Sequence, residues 1–427
     1  MSGFGESYAT ADVVPIHGDD CRDRPFAPID PVDMDLDPPG SSAQTLPARR
    51  VISATLYAWR NPEELPRRAW VYARLILRKG VFVIIAPGAV GKTTMITGIG
   101  LSLVTGRDLL GQPVWGGPKR VWIWNLEDPL DELAKSIQAA ASHWGIAERD
   151  IDGRLFVDCG LEGATLQLVR RGPQGHEINA ETFSEIVAVL RHREIDVLIV
   201  DPFVSSHGLA DENDNVGMDL VCKAWARIAV EANCAIGLAH HARKSNGEEI
   251  TVESSRGASS LTDAARSGLV LNRMQKAQAE EFAIEEVDRR RYFRADDAKP
   301  NRAPPGSGQW FEILSVHLGN GPDGGDSIGV ATPWRAPDPF DDVRPDDLRR
   351  VESRIDERGW RESPQAADWF GKLVAEELGL DLDTKLGKAK VRSIIRTWIS
   401  NGAFKVEERQ DGRRETRKFI VLGKARP

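Results

Sequence analysis

Val81-Phe-Val-Ile-Ile-Ala-Pro-Gly-Ala-Val-Gly-Lys-Thr-Thr94 sets the frame for the rest of the chain. Val81–Ile85 is a continuous apolar run of strand length, and the residues from Thr94 to Val104 read as a helix. Between them lies a glycine-rich loop, Ala86-Pro-Gly-Ala-Val-Gly-Lys-Thr93. Strand, glycine-rich loop, Gly-Lys-Thr and helix in that order make a P-loop, here with Ala86 in the place of the first glycine. In such a loop backbone N–H groups wrap a β-phosphate, and the helix N-terminus adds the positive end of its dipole. Gly88 and Gly91 are expected to let the backbone approach the phosphates without a Cβ in the way. Lys92 is expected to reach the β- and γ-phosphates, and Thr93 to ligate Mg²⁺. The expected nucleotide-binding set is therefore Ala86, Pro87, Gly88, Ala89, Val90, Gly91, Lys92, Thr93 and Thr94, with ATP and Mg²⁺ as cofactors. A plain glycine turn would not need Lys-Thr at this spacing.

Outward from this loop, apolar runs alternate with helical patterns. The runs are Val81–Ile85, Val121–Trp124, Val197–Val200, Ala235–Ala239 and Gly268–Leu271. Between them Leu130–Trp144, Ala180–Arg191 and Met218–Ala232 read as helices. Unbroken apolar strands separated by helices predict an α/β fold, a parallel sheet covered on both faces. Functional residues of such sheets collect at the carboxyl ends of the strands.

Three strand ends carry candidates. Asn125-Leu-Glu-Asp-Pro129 follows the second run, which places Glu127 where a carboxylate can orient and deprotonate an attacking water. Asp128, just before Pro129, is expected as a helix cap or a supporting group. Asp201 ends Val197–Val200 in the Walker B manner and is expected to bind Mg²⁺ directly or through water. His240 and His241 follow Ala235–Ala239. Adjacent strand residues face opposite sides, so one metal ion cannot easily take both. His241 is expected to sense the γ-phosphate and His240 to pack behind it.

Residues 242–258 read as a long polar loop, with Arg243, Lys244 and Arg256 as candidate DNA contacts set against a merely solvated loop. Arg266 follows a helix start at Ser259; it is either an ion-pair partner of Asp263 or a group that reaches a neighbouring subunit's phosphates. Lys299 is a second candidate cation. The 427 residues allow two or three domains, and the net charge of −8 is mild. The four cysteines show no metal-type spacing and are expected to be reduced thiols. No signal peptide or membrane-length apolar run is visible, so the expectation is a cytoplasmic enzyme with no membrane association.

Six stretches now stand in order: Ala-Pro-Gly-Ala-Val-Gly-Lys-Thr, Asn-Leu-Glu-Asp-Pro, Leu-Ile-Val-Asp-Pro, Leu-Ala-His-His-Ala-Arg-Lys, Ser-Arg-Gly-Ala-Ser-Ser-Leu-Thr-Asp-Ala-Ala-Arg and Lys-Pro-Asn. Together they resemble the RepA-type ATPases of plasmids and phages, a branch of the RecA-like fold that includes hexameric replicative helicases. The resemblance covers about residues 68–315. It implies that Lys92 and Thr93 hold phosphate and Mg²⁺, Glu127 is the catalytic carboxylate and Asp201 the Walker B acid. It implies that His241 is the γ-phosphate sensor. It further implies that Arg266 is an arginine finger given in trans, with Lys299 near a further subunit-interface cation. The partners it implies are DNA and further copies of the chain, most simply in a hexameric ring. The small plasmid helicases lack the long flanking segments present here.

Residues 1–46 hold nine acids, recurrent prolines and no apolar period, and are expected to be a disordered acidic tail. The core is expected over 47–318 and a Gly- and Pro-rich linker over 319–343. In 344–427, Asp346–Gly359, Ser363–Leu380 and Ala389–Asn401 read as helices. Val391, Ile394, Ile395, Trp398 and Ile399 fall on one face of the third. Gly402 ends it, and Asp411-Gly412 turns a hairpin. Three helices and a hairpin predict a winged-helix-like α+β domain. From Lys385 to Pro427 there are thirteen Lys or Arg against four acids, a distribution suited to DNA phosphates. The leading expectation is an ATP-driven ring motor on DNA, of the replicative-helicase type. The alternatives are an ATP-gated DNA-binding replication regulator and a recombination or helicase-loading ATPase.

Overall fold

A computed structural model describes residues 54–161, 166–173, 175–209, 214–242, 249–251, 259–298, 308–336, 338–355, 360–410 and 415–423. The expected acidic tail over 1–46 lies outside these residues. So do Lys299 and the loop cations Arg243, Lys244 and Arg256. The chain divides into two compact units, Met1–Pro66 and Arg67–Pro427. The described part of the first holds one 3₁₀ turn, Pro62–Glu64, capped by the Asn61 side chain.

The second unit begins with an antiparallel ribbon, β1 (Trp70–Tyr72) and β2 (Ile76–Leu77), followed by β3 (Val81–Ala86) and α1 (Lys92–Thr105). Next come β4 (Val121–Asn125), α2 (Leu130–Trp144), α3 (Glu148–Ile151) and β5 (Leu155–Cys159). A second ribbon, β6 (Val169–Gly172) and β7 (Gly175–Ile178), precedes α4 (Ala180–His192), β8 (Val197–Asp201), α5 (Asn215–Glu231) and β9 (Ala235–His241). The core closes with α6 (Ser259–Ala264), β10 (Ser267–Arg273), α7 (Lys276–Glu281), β11 (Tyr292–Asp297), β12 (Gln309–His317) and β13 (Ser327–Pro333).

Nine strands join in the order β13-β12-β11-β10-β3-β9-β8-β4-β5. The stretch from β10 to β5 is parallel, and β11, β12 and β13 extend it antiparallel. This is the α/β parallel core that the strand rhythm predicts, with the RecA-like form that the resemblance implies. Every residue of β3 and of β8 is buried, which explains their unbroken apolar sequence. One hydrophobic cluster packs α1 and α2 on one face, with Ile96, Ile99 and Leu103 at its centre. The other packs α4 and α5 on the opposite face around Trp225 and Phe203.

The segment 319–343, expected as a linker, holds the last strand of the sheet and the turn that leads into it. β13 pairs with β12 from His317↔Ser327 to Phe311↔Pro333. The Gly- and Asp-rich stretch after His317 is the hairpin turn between them, tied by Asn320 Nδ2 donating to Asp326 Oδ2 at 3.0 Å. The core therefore reaches Pro333.

The remaining elements are α8 (Pro345–Ser353), β14 (Trp360–Arg361), α9 (Phe370–Leu378), α10 (Lys385–Ser400), β15 (Phe404–Gln410) and β16 (Thr416–Leu422). The strands form one sheet in the order β14-β16-β15. Val391, Ile394, Ile395 and Trp398 of α10 are buried against Phe370, Phe404 and Ile420, and Ile399 packs beside them. Gly402 follows α10 with φ +83°, a conformation suited to glycine. The turn 411–414 lies outside the described residues. Among the described residues no helix is long and apolar enough to cross a membrane. Cys159, Cys222 and Cys234 are free thiols, and burial pushes those of Cys222 and Cys234 up to about 12.

Candidate nucleotide site

The carboxyl ends of four adjacent parallel strands form the site. β3 leads into the loop, and α1 begins at Lys92 behind Gly91. Ala89 and Gly91 both have left-handed backbones, φ +56° and +106°. Ala89 pays for that conformation without glycine's freedom, a sign of a loop held in place by its surroundings. A Cβ on Gly91 would come within 3.1 Å of Ile313 and 3.2 Å of Phe293, so β11 and β12 form the floor beneath the loop. A Cβ on Gly88 would meet nothing within 4 Å. Thr94 Oγ1 donates to the Gly91 carbonyl at 2.8 Å and closes the first helical turn.

Register brings the other strands' ends to this loop. Ala86 pairs with His241 across β3 and β9, and the Ala242 N–H donates to the Ala86 carbonyl at 2.9 Å. Asn125 pairs with Asp201 across β4 and β8. Lys92 Nζ donates to Asp201 Oδ1, and it lies 3.1 Å from His241 Nε2. Glu127 Oε2 stands 3.6 Å from the same His241 nitrogen. Lys92, Asp201, His241 and Glu127 thus converge from α1, β8, β9 and the turn after β4. His240 points the other way and is buried near Phe203, the division expected for adjacent strand residues.

Asp201 is 4% exposed. Burial holds its carboxyl above the ordinary carboxylate range, the Lys92 ammonium and His241 pull it back, and Glu127 adds to the rise. The side chains of Glu127 and His241 are about half exposed at 52% and 42%, so they face the opening rather than the core.

Two residues that sequence reasoning passed over shape the site. Asn125 is buried, and its Oδ1 accepts the Glu127 N–H at 2.8 Å and the Asp128 N–H at 2.7 Å. Its Nδ2 donates to Asp128 Oδ2 at 3.0 Å. This amide fixes the turn that presents Glu127. Asp128 does not cap α2, whose N-cap is Pro129 without a side-chain bond; it supports Asn125 instead. Arg273, the last residue of β10, donates from one terminal nitrogen to the Gly88 and Ala89 carbonyls, both at 2.7 Å. A contact spanning 185 residues leaves no local sequence signal.

Arg266 stands elsewhere. It precedes β10, its N–H donates to the Val81 carbonyl, and Ser267 pairs with Phe82. It therefore lies at the amino end of β3. The loop follows Ala86, about 17 Å further along a strand rising about 3.3 Å per residue. Arg266 cannot reach the P-loop of its own chain.

The donor set fits the expected ligands. Thr93 Oγ1 and the Asp201 carboxylate are hard oxygen donors of the kind Mg²⁺ takes from proteins, one or two at a time. Among the described residues no group of three or more His, Cys, Asp or Glu gathers as a self-sufficient metal cage. Mg²⁺, when bound with a triphosphate, neutralises phosphate charge. Lys92 would supply a second cation, and Glu127 faces the opening as a candidate base.

Residues 47–247 match a family model described as an AAA domain. The matched stretch contains the P-loop, Glu127, Asp201 and His241, and this part of the chain is similar to AAA-type P-loop domains.

Proposed function

We propose that the chain is an ATP-hydrolysing, ring-forming motor acting on DNA, of the RepA-type helicase kind of plasmid, phage and prophage systems. The observation that carries this reading is the separation of Arg266 from the site it would serve. The P-loop lysine, the Walker B aspartate, the candidate base and the candidate sensor gather at one end of the sheet. The arginine that matches the family's finger stands at the other. A finger so placed can only complete the site of a neighbouring copy, which makes hydrolysis a property of the assembly, most simply a hexamer. The order α8, β14, α9, α10, β15, β16 supports the winged-helix reading. The cations of α10 and β16 suit DNA phosphates.

The test uses purified protein. Arg266→Ala is expected to lower ATP turnover by about 10³–10⁵, the usual worth of an arginine finger. Mixing it with Lys92→Ala subunits is expected to restore turnover, because each variant lacks a different half of the site. No rescue with assembly intact overturns the finger in trans. DNA-stimulated turnover with ATP-dependent strand separation supports the motor.

A second reading, an ATP-gated DNA-binding regulator, has its own observation. Lys385 on α10 bonds Glu285 at 2.5 Å, and Arg396 bonds Glu281 at 2.7 Å. These pairs rest the C-terminal helix on the ATPase core, as a switch requires. Tight duplex binding with slow, unstimulated turnover favours this reading over the motor.

A further inference from the structure

A half-open cleft of about 330 Å³ lies between α7 and α10, with Lys276 on one wall and Lys385, Lys388 and Arg392 on the other. The nearby charges divide into spent and unspent groups. Glu286, also in the wall, is held by Arg289 Nε at 2.9 Å and by a terminal nitrogen at 2.7 Å, and it also feels the charge of Lys276. Lys385 is held by Glu285. Lys276, Lys388 and Arg392 are exposed, and none makes an ion pair within 4 Å or a hydrogen bond among the described residues. Glu280 is the remaining acid of the wall. Three cations from two parts of the fold thus face one concave space, Lys276 with Glu286 and Glu280 near it and Lys388 and Arg392 without an ion pair among the described residues.

The walls are firm. Phe282, which ends α7, packs edge-on against Trp310 at 5.7 Å and Trp334 at 5.5 Å, and this anchors α7 to the sheet. The apolar face of α10 is locked in its own core. The space suits a nucleotide-sized unit. A helix reads duplex DNA by entering a major groove about 12 Å wide. The amino-terminal cations of α10 line this cleft together with α7.

We propose that this cleft seats the phosphates of a single nucleic-acid strand, which thereby bridges the ATPase core and the C-terminal helices. The inference rests on the DNA reading above and adds the strand's place and form. Fluorescence anisotropy of a labelled oligothymidine, titrated with the full chain across a salt series, tests it. Each phosphate contact to a single strand adds about 0.7 to the slope of log affinity against log salt. Lys276→Ala/Lys388→Ala/Arg392→Ala should therefore flatten the slope by about 2, while Lys223→Ala on α5, whose ammonium pairs with Asp219, leaves it unchanged. Circular dichroism checks the fold. If the triple variant unfolds, Lys276→Ala alone is read, with an expected change of about 0.7. An unchanged slope in a folded variant, with wild type binding the strand, overturns the cleft and leaves the DNA reading standing. Failure of wild type to bind any DNA overturns both. Dependence on these cations of inorganic phosphate or free ATP binding alone, with strand binding untouched, also overturns it.

Discussion

The two ends of the central sheet use charge in opposite ways. At the carboxyl end Lys92 bonds Asp201, His241 stands 3.1 Å from Lys92 and 3.6 Å from Glu127, and two of the four are about half exposed. At the amino end Asp196 bonds Arg78 and accepts the Arg120 N–H at 2.9 Å, and Arg78 donates to the Asn233 carbonyl at 2.7 Å. That second set closes gaps between strands and helices and serves architecture. The first set keeps polar surface turned toward the opening, and it tolerates a buried carboxyl whose ionisation the fold disfavours. Parallel strands explain the division. All their carboxyl ends point one way, so whatever the loops there hold is shared among strands.

The division can be broken or sharpened by substitution. The largest effect is expected from Glu127→Gln. Turnover should fall by about 10²–10⁴, the worth of a general base, while nucleotide binding is kept; phosphate release and nucleotide titration measure the two separately. Near-normal turnover would remove Glu127 from the chemistry. Asp196→Ala should do the reverse, costing about 1–3 kcal/mol of stability by taking the acceptor from the Arg120 N–H and from one terminal nitrogen of Arg78. Denaturant melts read that loss, and turnover per folded molecule should hold. The smallest effect is expected from Arg273→Ala. Without its bonds to the Gly88 and Ala89 carbonyls the loop loosens, and KM for ATP should rise by about 3–10-fold with kcat little changed. A fall in kcat instead would place Arg273 on the reacting phosphate.

Much of this was legible in the sequence because the carboxyl-end residues sit on fully buried strands. Val81–Ile85, Val197–Val200 and Ala235–Ala239 announce themselves as apolar runs, and the next polar residue is then the strand end. The antiparallel edge hid for the opposite reason. β12 and β13 are mostly half-buried and mix Ser, Glu, His, Gly and Pro with their apolar residues, so they read as irregular chain. Asn125 was hidden because its work is done by a buried amide, which in sequence is one more polar residue at a strand end. Arg273 was hidden because its partners lie in another part of the chain.

Arg273 is also the residue from which α7 departs: only Met274 and Gln275 separate its hold on the P-loop from the helix that meets α10. Met274 is fully buried and its carbonyl is bonded by Arg289 at 2.8 Å, so this short connection has little slack. Binding free energies at two sites are reciprocal. If seating a strand beside α7 shifts Arg273 and changes ATP affinity by some factor, ATP must change the affinity for the strand by the same factor. Two residues of chain would then be enough to make grip on nucleic acid and grip on nucleotide a single thermodynamic quantity.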